Sequence, residues 1–250
     1  MGLVYKSQCE YSKALDCFNK SLEIRLSFFG DFHPYVAECY HNMGLVYTSL
    51  CDYDRALEYY NKSLAISLAV FGESHPDVAT CYINMGGIYS SQGDYDKALD
   101  YCNKSLTIYL SIFGELHFYV ATIYDNIGEV YCCQGEYAKA LEYSEKSLEI
   151  YLSVLDDSNP CLANPYNNIG MVYSSQGDNV KALEYYEKTL AIRLSIFDDS
   201  HPDTVEALEK IAFVYLALAD NEKALEYMKR GAVAGSEKCA EYLRENGISL

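Results

Sequence analysis

Glycine stands at positions 2, 44, 86, 128 and 170, and Ala212 completes the column at the same interval of 42 residues. Tyr5, Tyr47, Tyr89, Tyr131, Tyr173 and Tyr215 form a second column. Ala14, Ala56, Ala98, Ala140, Ala182 and Ala224, each followed by Leu, form a third. Self-similarity at a fixed period of this size marks a stacked array, and one compact globule is the wrong picture for it.

One period shows what is stacked. Residues 74–114 read SHPDVATCYINMGGIYSSQGDYDKALDYCNKSLTIYLSIFG. Pro76 suits a first helical turn, where its missing N–H loses nothing, and Asp77 complements the positive helix end. Val78, Cys81, Tyr82, Met85, Ile88 and Tyr89 then recur at the three-and-four spacing of a helix face. Gln92-Gly93 ends this helix, and Asp94 caps a second. Tyr95, Ala98, Leu99, Cys102, Leu106, Leu110 and Phe113 give the second its stripe before Gly114 stops it. Neither helix of such a hairpin buries its stripe alone, so neighbours must stack.

The glycines are the costly part. Each one inside a helix costs about 1 kcal/mol against alanine, or ~4 kcal/mol for Gly44, Gly86, Gly128 and Gly170 together. Close approach of the partner helix is the natural offset, with Ala56, Ala98, Ala140 and Ala182 as the small residues on the facing side.

The spacing G-x-x-Y, then Y-x-x-A-L with a small residue seven positions after that Ala, resembles the tetratricopeptide repeat. The common period there is about 34 residues. The longer second helix and the inserted loop, as in FGESHPDVA, are similar to the 42-residue repeat of kinesin light chains. The resemblance runs from Gly2 to about Gly231. It implies an all-α chain: a right-handed α-solenoid of stacked antiparallel helix hairpins, the superhelix of tetratricopeptide proteins. The expected domains are an array over 1–234, its first unit truncated, and a C-terminal capping helix over 235–250. In the latter, Ser236 is the N-cap, Leu243 lies on an apolar face and Gly247 is the stop. A chain beginning inside a first helix reads as a fragment, or as a protein whose open first pair favours self-association.

First helices of such hairpins line the inner, concave face. On this face the Asn126 column reads Asn42, Asn84, Asn126, Asn168 and then Lys210. Successive members lie ~10 Å apart, the spacing of packed helices. An amide donates and accepts, so a row of them fits the backbone of an extended peptide, the part that inner-face asparagines play in peptide-binding arrays of the resembled family. The other reading is an amide that bonds the neighbouring repeat and orients the stack. Variable positions beside the row suit side-chain reading: His41, Ile83, Asp125, Asn167 and Glu209 one step before, and Leu45, Gly87, Glu129, Met171 and Phe213 three steps after. Lys and Arg are almost absent from this set, so the expected ligand is a protein or peptide that is neutral and apolar, or basic, before an acidic one.

Charge prunes other partners. Formal net charge is -17, from 36 acids against 19 bases, and such a surface repels nucleic acid and anionic membranes. No apolar run reaches ~18 residues. The start lacks the basic and apolar regions of a signal peptide, so a cytoplasmic protein is expected, with Gly2 a repeat position and not a lipidation site. Ten cysteines contain no C-x-x-C and read as buried or half-buried thiols of a reducing compartment. His33, His75, His117 and His201 form a repeat column with Asn159 in the remaining slot; members stand at least one repeat apart, too far to share a metal, and read as cap residues. No cofactor, metal or enzymatic chemistry is expected. The function expected is a protein-interaction scaffold. The alternatives are a regulatory or sensor segment of a larger multidomain protein and a kinesin light chain-like cargo adaptor fragment.

Overall fold

The computed structural model describes residues 2–7 and 10–249. Among them are thirteen α-helices and no strand, grouped into two compact units, Met1–Glu115 and Leu116–Leu250. The first unit holds α1 (Gly2–Ser7), α2 (Tyr11–Phe29), α3 (Pro34–Ser49), α4 (Tyr53–Phe71), α5 (Pro76–Ser91) and α6 (Tyr95–Phe113). The second holds α7 (Phe118–Cys133), α8 (Tyr137–Val154), a 3-10 turn (Pro160–Leu162), α9 (Ala163–Ser175) and α10 (Asn179–Leu194). It ends with α11 (Pro202–Ala217), α12 (Asn221–Ala234) and α13 (Glu237–Glu245). Odd and even helices pair as antiparallel hairpins, and each even helix packs on the next odd one of its unit. This is the all-α solenoid organisation that the period implies.

Local chemistry sets the helix ends. At α3, α5, α7 and α11 the capping histidine turns Nδ1 inward and accepts the backbone N–H two residues on, at 3.2–3.3 Å. Asn159 does the same for the N–H of Cys161 at 3.0 Å, which is why an amide can replace histidine in that slot. Asp52, Asp94, Asp178 and Asp220 cap the even helices, each accepting from the backbone N–H three residues on. Between the helices of a pair, Gly93, Gly135 and Gly177 take φ of 77°, 77° and 79°. Cys51 and Ala219 occupy the same slot at φ 56° and 60°, a left-handed conformation that costs a residue with a Cβ about 1–2 kcal/mol.

The glycine column sits where helices of a pair touch. A Cβ on Gly44 would lie 2.7 Å from the Tyr60 ring, and one on Gly170 would lie 2.8 Å from the Tyr186 ring. On Gly128 it would meet Ser144 Oγ at 2.6 Å, and on Gly86 the Ala98 carbonyl and Cys102 Sγ at 3.2 Å. Ala56, Ala98, Ala140 and Ala182 are fully buried beside them. The nearest side chain to each glycine is therefore the one a turn after the alanine. The tyrosines pack on the same hairpins: Tyr89 stacks on Tyr101 with centroids 5.4 Å apart, and Lys97 and Lys104 lie over the two rings. Pairs 47/59, 131/143, 173/185 and 215/227 repeat the stack. Cys9 lies outside the described residues. The other nine cysteines are free thiols, and Cys51 and Cys133 are exposed where burial was expected, because both stand at the end of an odd helix beside its turn.

Candidate functional site: the face of the odd-numbered helices

On α3, positions i, i+3, i+4 and i+7 put Glu38, His41, Asn42 and Leu45 on one helix face. In the first unit this face borders a hollow of about 230 Å³, lined among others by Leu3, Glu38, His41, Asn42, Asp77 and Cys81. Helices α1, α3 and α5 supply these six, so corresponding faces of successive odd helices meet there. Arg25 holds the Glu38 carboxylate at 2.8 Å. Burial pushes the His41 imidazole below its usual value, Asp77 pulling up, Lys6 down and Glu38 up more weakly. His41 is therefore held toward its neutral form. Asn42 and Asn84 are half-buried, and among the described residues their amides make no hydrogen bond. Leu45 is half-buried with part of its side chain in the cluster of Ala56, Tyr60, Met85 and Ile88.

The second unit arranges the same columns differently. Asp125 is 5% exposed and Asn168 4%. Asn168 Nδ2 donates to Asp125 Oδ1 at 2.9 Å, from α9 to α7. One repeat on, Lys210 Nζ donates to Asn167 Oδ1 at 2.8 Å and to Glu206 at 2.6 Å, and Asn167 Nδ2 points at Met171 Sδ at 3.6 Å. The amide or ammonium of one repeat thus meets the residue 43 positions earlier. Burial drives Asp125 up to about 8, the Glu129 charge adds to the rise, and the Asn168 amide opposes it. Glu129 has an exposed side chain flanked by the neighbouring helices; this desolvation raises it, as does Glu206, with Lys210 acting against them. Glu206 goes the other way: burial works to raise it, but Lys210 and Arg193 outweigh that and hold it low. Asn126 is half-buried with no hydrogen-bond partner among the described residues.

The ten binding candidates read from sequence therefore differ in what their side chains are doing. His41, Asn42, Asn84 and Asn126 keep polar groups available; Asp125, Asn167 and Asn168 are spent on each other's repeats. Leu45 and Met171 are half committed to packing, and Glu129 stays at the surface. The column one turn before the asparagines went unread: Glu38 and Glu206 belong to it. Its signal was available, since residues four apart share a helix face. A further hollow of about 270 Å³ in the second unit is lined by Tyr186, Glu206, Glu209, Lys210, Phe213 and Lys238, among others. No group of three or more His, Cys, Asp or Glu able to hold a metal occurs among the described residues. No described helix is long and apolar enough to cross a membrane.

Known proteins give the fold a context. The backbone resembles that of BtubC (BKLC) from P. vanneervenii, with TM-score 0.70 and 22% identity over 96% of this chain and 94% of that one. A putative kinesin light chain from Podosopora anserina with nearly identical TPR-like repeats gives TM-score 0.61 and 18% identity over 82% and 98%. The Rap protein complexed with Competence and Sporulation Factor gives 0.73 and 18% over 89% of this chain and 58% of its own. Comparison of the sequence with curated proteins finds no match. The sequence model of the tetratricopeptide repeat matches residues 1–69, 41–111, 77–153, 119–195 and 161–232. Those five overlapping matches span the period, the hairpins and both units, and the chain belongs to the tetratricopeptide repeat family.

Proposed function

We propose that the chain is a non-catalytic protein-interaction scaffold, and that the odd-helix face of its first unit holds an extended segment of a partner polypeptide. The observation that carries this reading is the pair Asn42 and Asn84: two half-buried amides in one column with no internal partner. Their amide atoms are not among the buried unpartnered ones, so they stay open to solvent, and a peptide backbone supplies both the acceptor and the donor such an amide can bond. Asn126 offers the same group in the second unit, whereas Asn168 is occupied by Asp125. Asp77 at the first-unit hollow, where Glu38 is already held by Arg25, favours a neutral and apolar, or a basic, ligand over an acidic one. Among neighbours of this fold, the Rap protein is complexed with Competence and Sporulation Factor, and NprR from B. thuringiensis is a quorum sensor. A regulatory segment of a larger protein or a cargo adaptor would use this face in the same way.

A peptide-array screen followed by titration of the selected peptide tests the reading. Asn42→Ala and Asn84→Ala should each weaken binding about tenfold, the effect of losing ~1.4 kcal/mol. Retention of full affinity by both variants contradicts the clamp.

The same proposal assigns α13 as the terminal cap of an array over 1–234. Cys239 and Leu243 are buried against Ala212 and Met228, while Glu237, Glu241 and Glu245 face solvent. At the other end Ile24 is 58% exposed while its counterparts Ile66, Ile108, Ile150 and Ile192 are buried, the basis for self-association there. Light scattering reads this directly, and a monodisperse monomer contradicts it.

A further inference from the structure

A second surface of the first unit lies away from the asparagine column. Each loop from an even helix to the next odd one begins Phe-Gly-acid: Phe29-Gly30-Asp31, Phe71-Gly72-Glu73 and Phe113-Gly114-Glu115. Hairpin topology brings these loops to the same edge of the unit. Phe29 stacks on His33 with centroids 4.3 Å apart, and Phe71 stacks on His75 at 4.0 Å, so the rings are held in place. Beside them Phe32 is 71% exposed, and Val70 and Ile112 are exposed as well. Exposed apolar side chains recurring along one edge of a unit mark a candidate interaction surface.

The acids say what would cover it. Asp31, Glu73 and Glu115 are exposed and form no ion pair among the described residues. In the second unit the equivalent acid, Asp199, is closed by Arg230 through bonds of 2.6 and 2.7 Å. The Arg230 contact shows what such an acid accepts: a cation arriving from the side of the loop. An anionic lipid surface is repelled by the row, and a second copy would bring the same acids to the same edge.

We propose that this edge of the first unit docks a basic amphipathic segment of a protein partner. Its apolar side chains lie on Phe32, Val70 and Ile112, and its lysines or arginines pair with Asp31, Glu73 and Glu115. The stacks of Phe29 on His33 and Phe71 on His75 hold two of the loops that carry these acids, which reduces the ordering cost of binding.

The probe is a synthetic leucine–lysine peptide of about five turns, patterned as an amphipathic helix, against a scrambled peptide of identical composition. Fluorescence anisotropy at physiological salt should show the patterned peptide binding about tenfold tighter. The triple variant Phe32→Ser/Val70→Ser/Ile112→Ser should lose that advantage while keeping the melting temperature. The triple variant Asp31→Asn/Glu73→Gln/Glu115→Gln, which leaves the apolar stripe intact, should weaken binding and flatten its salt dependence. Equal affinity for the scrambled peptide, or full affinity in either triple variant, overturns the proposal. So does loss of binding in Asn42→Ala or Asn84→Ala alone, which would place the peptide on the odd-helix face and leave the clamp reading standing.

Discussion

The first unit leaves His41 and Asn42 at a hollow, and Asn84 one repeat on, with their polar groups unspent; the second bonds the same columns across its repeats, Asn168 to Asp125 and Lys210 to Asn167. The backbone positions are equivalent, and the column holds asparagine in both units, with Lys210 in its last place. What differs is the side chain 43 positions earlier: a carboxylate or amide in the second unit, and for Asn84 an imidazole, His41, that makes no bond to it. One column of a repeat can therefore serve the stack in one place and remain open to a ligand in another.

The comparison breaks first on pH. Asp125, raised to about 8 in the native protein against about 3.9 unfolded, keeps its proton while the unfolded chain has lost it. Its contribution is full below about pH 4 and is lost as pH rises through about 8. His41 has the opposite sign: its native value lies below the usual 6.5, so its contribution is full above that and is lost as pH falls beneath it. Hydrogen exchange should find α7 and α9 loosening on the alkaline side and α3 and α5 on the acid side. Asp125→Asn should remove the alkaline response and leave the acid one; equal responses in both units would contradict the assignment.

Next in size is the amide itself. Asn168→Ala strands a buried acceptor and should cost about 1–3 kcal/mol in urea unfolding, whereas Asn84→Ala should stay within about 0.5 kcal/mol. Similar losses for the two would erase the distinction between used and unused amides. Gly44→Ala drives a methyl into the Tyr60 ring and should cost up to about 2 kcal/mol, the 1–3 kcal/mol of overpacking less the ~1 kcal/mol alanine regains in helix propensity. Gly86→Ala, facing Cys102, should cost less, and a reversed order would show that the ring yields more easily than the thiol. The smallest effect is a gain. Thr204 carries a buried hydroxyl without a partner where Val36 and Val78 stand in the first unit, so Thr204→Val should stabilise by about 1 kcal/mol.

Much of this was legible in the 42-residue period. Hairpin boundaries follow from Pro76, Asp94 and Gly114, each of which has a local reason to start or stop a helix. The close approach at Gly44 and Gly170 follows from the cost of glycine in a helix. The fate of each asparagine was not legible from its column, because it depends on a pairing between repeats that the periodicity averages away. Reading at an offset of 43 instead of 42 would have set Asp125 against Asn168 and Asn167 against Lys210. The left-handed turns at Cys51 and Ala219 were hidden for a different reason: there the fold overrides the preference of the residue, and only the glycines elsewhere in the column reveal the geometry.

The side-chain amide resonances of Asn42, Asn84 and Asn168, followed by NMR while a selected peptide is added, test the central claim most directly. Binding on the open face of the first unit moves Asn42 and Asn84 and leaves Asn168 in place, still bonded to Asp125. A peptide that binds without moving either of the first two contradicts it.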